Sequence, residues 1–92
     1  MHILRIEHEV TDYENWKQAF DNDPLGRKKS GVRSYRILRA VDDPNFVMID
    51  LEFDTAAEAG QMQTALEELW GRVDVMRNPQ SRAAEIVETG SY

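Results

Sequence analysis

The chain has no cysteine, only two histidines and a minority of basic side chains. Without a thiol there is no disulfide, no thiol nucleophile and no cysteine–zinc cluster, a composition that suits a reducing, cytoplasmic setting. His2 and His8 lie six residues apart in one strand pattern, so they share a face but stand too far apart to chelate one ion, and no metal site is expected. The longest apolar run is Phe46–Ile49, far short of a bilayer span. Strand patterning starts at the N-terminus itself, so no signal peptide is expected there. Lys and Arg total 11 against 17 Asp and Glu, a formal charge of −6. That balance argues against nonspecific nucleic-acid binding, which needs clustered cations. The basic cluster Arg27-Lys28-Lys29 reads as a solvated loop rather than an anion site. There is no phosphate-binding glycine loop and no supported Ser–His–Asp arrangement.

What remains is an ordinary globular composition, 41% hydrophobic and 30% charged. Residues 1–92 make one domain, near the small end where association often completes a core.

Apolar and polar residues alternate from Ile3 to Val10, placing Leu4, Ile6, His8 and Val10 on one face of a strand. Thr11 and Glu14 are spaced as a capping box, followed by the aromatic stripe Tyr13, Trp16 and Phe20 on a helix to about Asp21. Asp23-Pro24 reads as a second helix start, with a short turn stopping at Gly31. Val32 to Val41 is a second strand, Asp42-Asp43-Pro44-Asn45 a turn, and Phe46 to Phe53 a third strand paired with the second as a hairpin. Thr55 and Glu58 form another capping box, and Ala59, Met62, Leu66, Leu69 and Val73 recur at helical spacing beside Trp70, giving a helix to about Arg72. After an irregular stretch through Pro79, Ala83 to Thr89 reads as a last short strand.

The order is βαββαβ. Right-handed crossovers place the first two strands parallel with the third between them. The expected fold is α+β and ferredoxin-like: a four-stranded antiparallel sheet with both helices on one face.

The third strand bears on assembly. Val47, Ile49, Leu51 and Phe53 make one apolar face, yet the other face begins with Phe46 and Met48 before Asp50 and Glu52. A sheet with a wet second face should alternate more cleanly. Ile3, Phe46 and Met48 therefore predict a covered patch, with Arg5, Asp50 and Glu52 as its charged remainder and Arg5 pairing across strands with Asp50 or Glu52. The expected interface is a homodimer whose sheets stack. Asp50 with Glu52 as a paired-carboxylate site is the less favoured reading, since no histidine or metal partner is visible.

This pattern resembles the dimeric α+β-barrel superfamily, which includes the antibiotic-biosynthesis-monooxygenase-like proteins. The resemblance rests on size, the strand and capped helix Ile3–Phe20, the hairpin around Asp42-Asp43-Pro44-Asn45, and the helix from Thr55-Ala56-Ala57-Glu58 to Trp70. It implies sheet-to-sheet dimers forming an α+β barrel, with a pocket between sheet and helices in each subunit. The superfamily includes cofactor-independent monooxygenases, polyketide cyclases, haem-degrading enzymes and lactone isomerases. The haem-degrading branch has an asparagine late in the first strand and a histidine ligand on the second long helix. Here His8 stands near the asparagine's place and Ala59–Arg72 holds no histidine, so the resemblance does not extend to haem degradation. No cofactor is expected.

His8 is the candidate catalytic residue: a neutral imidazole on a core face can act as general base on a phenol or enol. It can equally be a buried histidine bonded to backbone or to Tyr13. Trp16, Tyr35, Trp70 and Tyr13 are candidate pocket walls for a flat aromatic ligand, or else core packing. Arg33, Arg36 and Arg39 can hold an acidic ligand or serve as solvated edge-strand charges. The resulting expectation is a small-molecule protein, a cofactor-independent monooxygenase or cyclase acting on an aromatic or polyketide-like substrate. Its alternative is a non-catalytic ligand-binding or assembly protein of the same fold.

Overall fold

A computed structural model describes residues 1–71 and 76–92, without the side chains of 76–78. The elements run β1 (His2–Val10), α1 (Tyr13–Asp21), β2 (Ser34–Ala40), β3 (Asp43–Phe53), α2 (Ala56–Trp70) and β4 (Met76–Glu85). They form a four-stranded sheet in the order β2-β3-β1-β4, antiparallel at every pairing. This is the expected ferredoxin-like βαββαβ arrangement.

The period-two pattern of β1 and β3 decides where the core lies. Leu4, Ile6 and Val10 on β1 and Val47, Ile49, Leu51 and Phe53 on β3 are all buried on the same sheet face. Trp16 of α1 and Ala59 and Met62 of α2 close over them in one cluster. Each fully buried Leu, Ile, Val or Phe of this kind contributes about 1.5–3 kcal/mol of transfer free energy.

Several local expectations need correction. The N-cap of α1 is Asp12, not Thr11: the Asp12 carboxylate accepts from the Asn15 amide at 3.2 Å, and aspartate caps as well as threonine does. Thr55 does cap α2, accepting from the Glu58 amide at 3.2 Å and donating to the Glu58 carboxylate at 3.1 Å. The hairpin turns on Val41 and Asp42 alone, since Ala40 pairs with Asp43, and Pro44 lies inside β3. A register shift at Arg39/Ala40 absorbs the residues the strand gains there. Asp43 still bonds ahead, accepting from the Asn45 amide at 3.0 Å.

No helix forms after Asp23-Pro24. Asp23 takes φ 50 and accepts from the Arg27 amide at 2.9 Å, and turns then lead to Gly31 at φ 100. The last strand begins at Met76 and ends at Glu85, earlier than its expected span of Ala83 to Thr89. Pro79 is no obstacle because β4 is an edge strand, where the missing N–H can face outward. Arg72 and Val73, which the periodicity assigns to the end of the second helix, lie outside the described residues. Among those residues no helix is long and apolar enough to cross a membrane.

Candidate functional site

Between the helices and the sheet lies a cavity of about 270 Å³. Its floor is Ile6 and His8 of β1 with Ile49 and Leu51 of β3. Its walls are Trp16 and Phe20 of α1 and Met62, Leu66 and Trp70 of α2. The α1–β2 connection closes the remaining side with Asn22–Leu25 and Arg27. Such a lining, mostly apolar with few polar groups, is the usual character of a small-molecule site.

His8 is the one histidine on this wall. The β1 alternation turns it inward, leaving it 2% exposed among Leu4, Ile6 and Val10. The β1–β4 register shifts between Glu7 and Glu9, so a bulge falls opposite His8, the kind of irregularity that re-aims a side chain near a site. His8 Nδ1 lies 3.3 Å from the Glu9 carbonyl oxygen. A carbonyl can only accept, so Nδ1 carries the proton and Nε2 the lone pair. Nε2 has no hydrogen-bond partner among the described residues, and no enclosed side-chain nitrogen or oxygen there is orphaned. Nε2 is therefore the ring nitrogen reachable from the cavity. Burial lowers the imidazole pKa below its ordinary 6.5, with the Glu9 carbonyl opposing in smaller measure. The ring is thus neutral at neutral pH, as a proton acceptor must be.

The aromatic residues divide. Trp16 and Trp70 line the cavity; Tyr13 and Tyr35 do not. Trp16 stands edge-on to His8, with ring centroids 5.7 Å apart, and packs on Phe20 at 5.3 Å. Tyr13 flanks Trp16 from outside at 5.8 Å, while Tyr35, half exposed, meets the far side of Phe20 at 5.2 Å.

Arg27 corrects the solvated-loop reading. Its guanidinium lies 3.7 Å above the Phe20 ring, and Nη1 donates to the Phe20 carbonyl at 2.8 Å. Phe20 belongs to the last turn of α1, where its carbonyl accepts from the Asp23 amide at 3.1 Å and takes the Arg27 bond as a second one. The side chain is drawn inward by this cap and by cation–π attraction, an arrangement that no pattern within Arg27-Lys28-Lys29 announces. The three other candidate arginines are engaged elsewhere: Arg33 with Asp54 at 2.6 Å, Arg36 with Asp50 at 2.8 Å, and Arg39 over Tyr13 at 4.5 Å.

The opposite sheet face carries the expected interface residues. Ile3, Phe46, Met48 and Glu52 are half-buried there, Arg5 is exposed and Asp50 is 5% exposed. Arg5 and Asp50 are direct cross-strand partners joined by two bonds of 2.7 and 2.8 Å. Arg36, from β2 on the far side of β3, completes a triad. These bonds hold the Asp50 carboxyl below its ordinary pKa, Arg5 contributing most, against the opposing cost of burial. Asp50 is thus a fixed anion between two guanidinium groups, without the proton exchange that a carboxylate pair would need. Among the described residues no group of three His, Asp or Glu side chains could hold a metal.

No protein-family model and no curated protein matches the chain in sequence. Solved structures do match. SnoaB, a cofactor-independent oxygenase from Streptomyces nogalater, superposes with a TM-score of 0.75 at 12% identity, over 96% of this chain and 94% of that one. A candidate antibiotic biosynthesis monooxygenase from Deinococcus radiodurans gives 0.65 at 14% identity, over 100% and 98%. A dimeric ferredoxin-like protein from an uncultured marine organism gives 0.66 at 12% identity, over 97% of both chains. The chain therefore has the ferredoxin-like fold that these structures share.

Proposed function

We propose that this protein is a cofactor-independent monooxygenase or cyclase acting on an aromatic or polyketide-like carbon acid, with His8 as its base. One observation carries the reading: an apolar cavity of about 270 Å³ has a neutral imidazole in its floor, its Nδ1 tied to backbone and its Nε2 reachable. Nε2 takes a proton from the substrate's phenol, enol or activated methylene. The apolar walls keep water from the resulting carbanion. With dioxygen as oxidant, the carbanion gives up its electron pair to form a C–O bond. The peroxide recovers the proton from His8, and loss of water turns the original methylene into a carbonyl. A cyclase uses the same first step and directs the carbanion to an internal carbonyl instead. Trp16 and Trp70 serve as the flat walls against which such a substrate stacks.

The fold likeness to SnoaB supports this choice of chemistry. The test is oxygen uptake with an anthrone-type polycyclic enol and no added metal, flavin or haem. Turnover by the native chain that His8→Ala removes supports the reading; turnover indifferent to His8 overturns it.

A non-catalytic ligand-binding or assembly role is the second reading. The Glu9 contact and the edge-on packing against Trp16 favour it, because both would also satisfy a purely structural histidine. Binding of aromatic ligands without turnover of any would support it.

The protein's working form is proposed to be a homodimer joined through the open sheet face. Support comes from Ile3, Phe46 and Met48 half-buried on that face in the isolated chain and from the Arg5–Asp50–Arg36 triad beside them.

A further inference from the structure

Arg27 places a positive charge on the rim of a mostly apolar cavity. The structure assigns to it the capture of an anionic group, and we infer that the natural ligand is an aromatic acid: a ring system between Trp16 and Trp70 with a carboxylate at Arg27. This rests on the proposed binding role of the cavity and names the class of ligand it takes.

The guanidinium is held and also incompletely used. Nη1 donates to the Phe20 carbonyl at 2.8 Å, and the planar group lies 3.7 Å over the Phe20 ring. Its side chain is only 19% exposed. Of the five N–H donors of an arginine, those on Nε and Nη2 have no partner among the described residues. Nε and Nη2 form the edge of the group that matches a carboxylate in a two-bond fork, a fit a lysine cannot reproduce. Because Arg27 is anchored before the ligand arrives, little side-chain freedom is lost on binding.

Its surroundings bear on the charge it presents. Asp23 also lines the rim, 3.5 Å from Nη1, and its Oδ1 accepts from the Arg27 amide at 2.9 Å. That carboxylate stands on the Nη1 side and draws off part of the charge. It is itself over a third exposed, so water weakens its hold. Among the described residues no other lysine or arginine lines the cavity.

The placement also orders the ligand. His8, Trp16, Phe20 and Arg27 follow one another in contact, at 5.7, 5.3 and 3.7 Å. An acid gripped at Arg27 lays its ring along Phe20 and Trp16 and directs its far end towards His8. Arg27 then sets which ring position meets the base.

Calorimetric titration of 1-naphthol and 1-hydroxy-2-naphthoate at neutral pH tests the assignment, since the two differ by one carboxylate. The native chain should bind the acid at least about ten-fold more tightly, the value of one charge-assisted contact. Arg27→Gln should erase that preference while leaving naphthol affinity within about two-fold. Arg27→Lys should retain part of it, and higher ionic strength should weaken the acid alone. A role confined to capping α1 would lower the melting temperature of Arg27→Gln and leave the preference intact. Equal affinity for both ligands in the native chain, binding of neither, or a preference surviving Arg27→Gln overturns the inference. Should Arg27→Gln fail to fold, the native preference and its loss with salt decide. His8→Ala should keep the preference, so absence of oxygen uptake would sink the enzymatic reading and leave this one standing.

Discussion

His8 and Trp16 meet edge to face, ring centroids 5.7 Å apart and planes at 62°, at the junction of β1, α1 and the cavity. The contact fixes one face of the imidazole while the Glu9 carbonyl fixes its tautomer. A base so held needs no reorganisation when a substrate arrives.

Replacing His8 by Asn keeps a polar N–H near the Nδ1 position and removes the basic nitrogen. Turnover of an enol substrate should fall roughly 100- to 10,000-fold, the usual contribution of a positioned general base. In the native chain the acid limb of kcat/KM should have its midpoint below 6.5, because burial disfavours the imidazolium. Oxygen-electrode rates across a pH series check both. A midpoint above 6.5 would contradict the stated burial effect.

Folding stability should carry the same signature. The unfolded chain takes up a proton at the ordinary histidine pKa near 6.5, and the folded chain only at lower pH. Between those values the unfolded state binds more protons, so stability rises with pH and is lost as pH falls. The lost part should be fully recovered above 6.5. Urea titrations at several pH values should show that slope in the native chain, and His8→Leu should flatten it.

Asp50→Asn keeps the shape of the side chain and removes the anion between Arg5 and Arg36. Charge-assisted hydrogen bonds contribute about 1.5–3 kcal/mol each when shielded, less where, as here, the arginines are half or more exposed. A loss of about 1–3 kcal/mol is expected by chemical denaturation. In the native chain the depressed Asp50 pKa gives stability that is complete above the ordinary value of 3.8 and disappears as pH falls below it. The variant should lack that acid-dependent part.

Met48→Lys puts a charge at the centre of the open sheet face, beside Leu38 of β2 and Glu7 of β1 in the ladder. Light scattering at micromolar concentration should give a dimer mass for the native chain and a shift towards monomer for the variant. A native monomer would remove the proposed assembly.

Gly31→Ala should cost about 1–2 kcal/mol through its left-handed backbone, φ 100, before any contact is counted. A Cβ there would also meet the Glu58 side chain. Glu58→Ala should therefore recover only the steric part. Thermal melts of the single and double variants separate the two contributions.

The β1 and β3 alternation, the two helical stripes and the Thr55 cap were legible from residue order, since period and local hydrogen bonding fix them without reference to the rest of the chain. So was the inward orientation of His8, and the pairing of Arg5 with Asp50 or Glu52, of which the structure takes Asp50. The cap at Asp12 and the turn at Val41-Asp42 were displaced by a residue or more, because neighbouring Asp, Thr and Pro side chains offer competing local solutions. Pro79 within β4 was hidden more deeply, because its tolerance depends on β4 lying at an edge.

Sequence alone thus determined the βαββαβ order, the core face and the exclusion of cysteine chemistry, all properties of single residues or short periods. Tertiary structure decided what stands beside what. It left Trp16 and Trp70 on the cavity and Tyr13 and Tyr35 off it. It also folded Arg27 from its loop onto Phe20. Those outcomes depend on how α1, its following loop and the sheet close on one another, and no spacing along the chain encodes the width of the gap they leave.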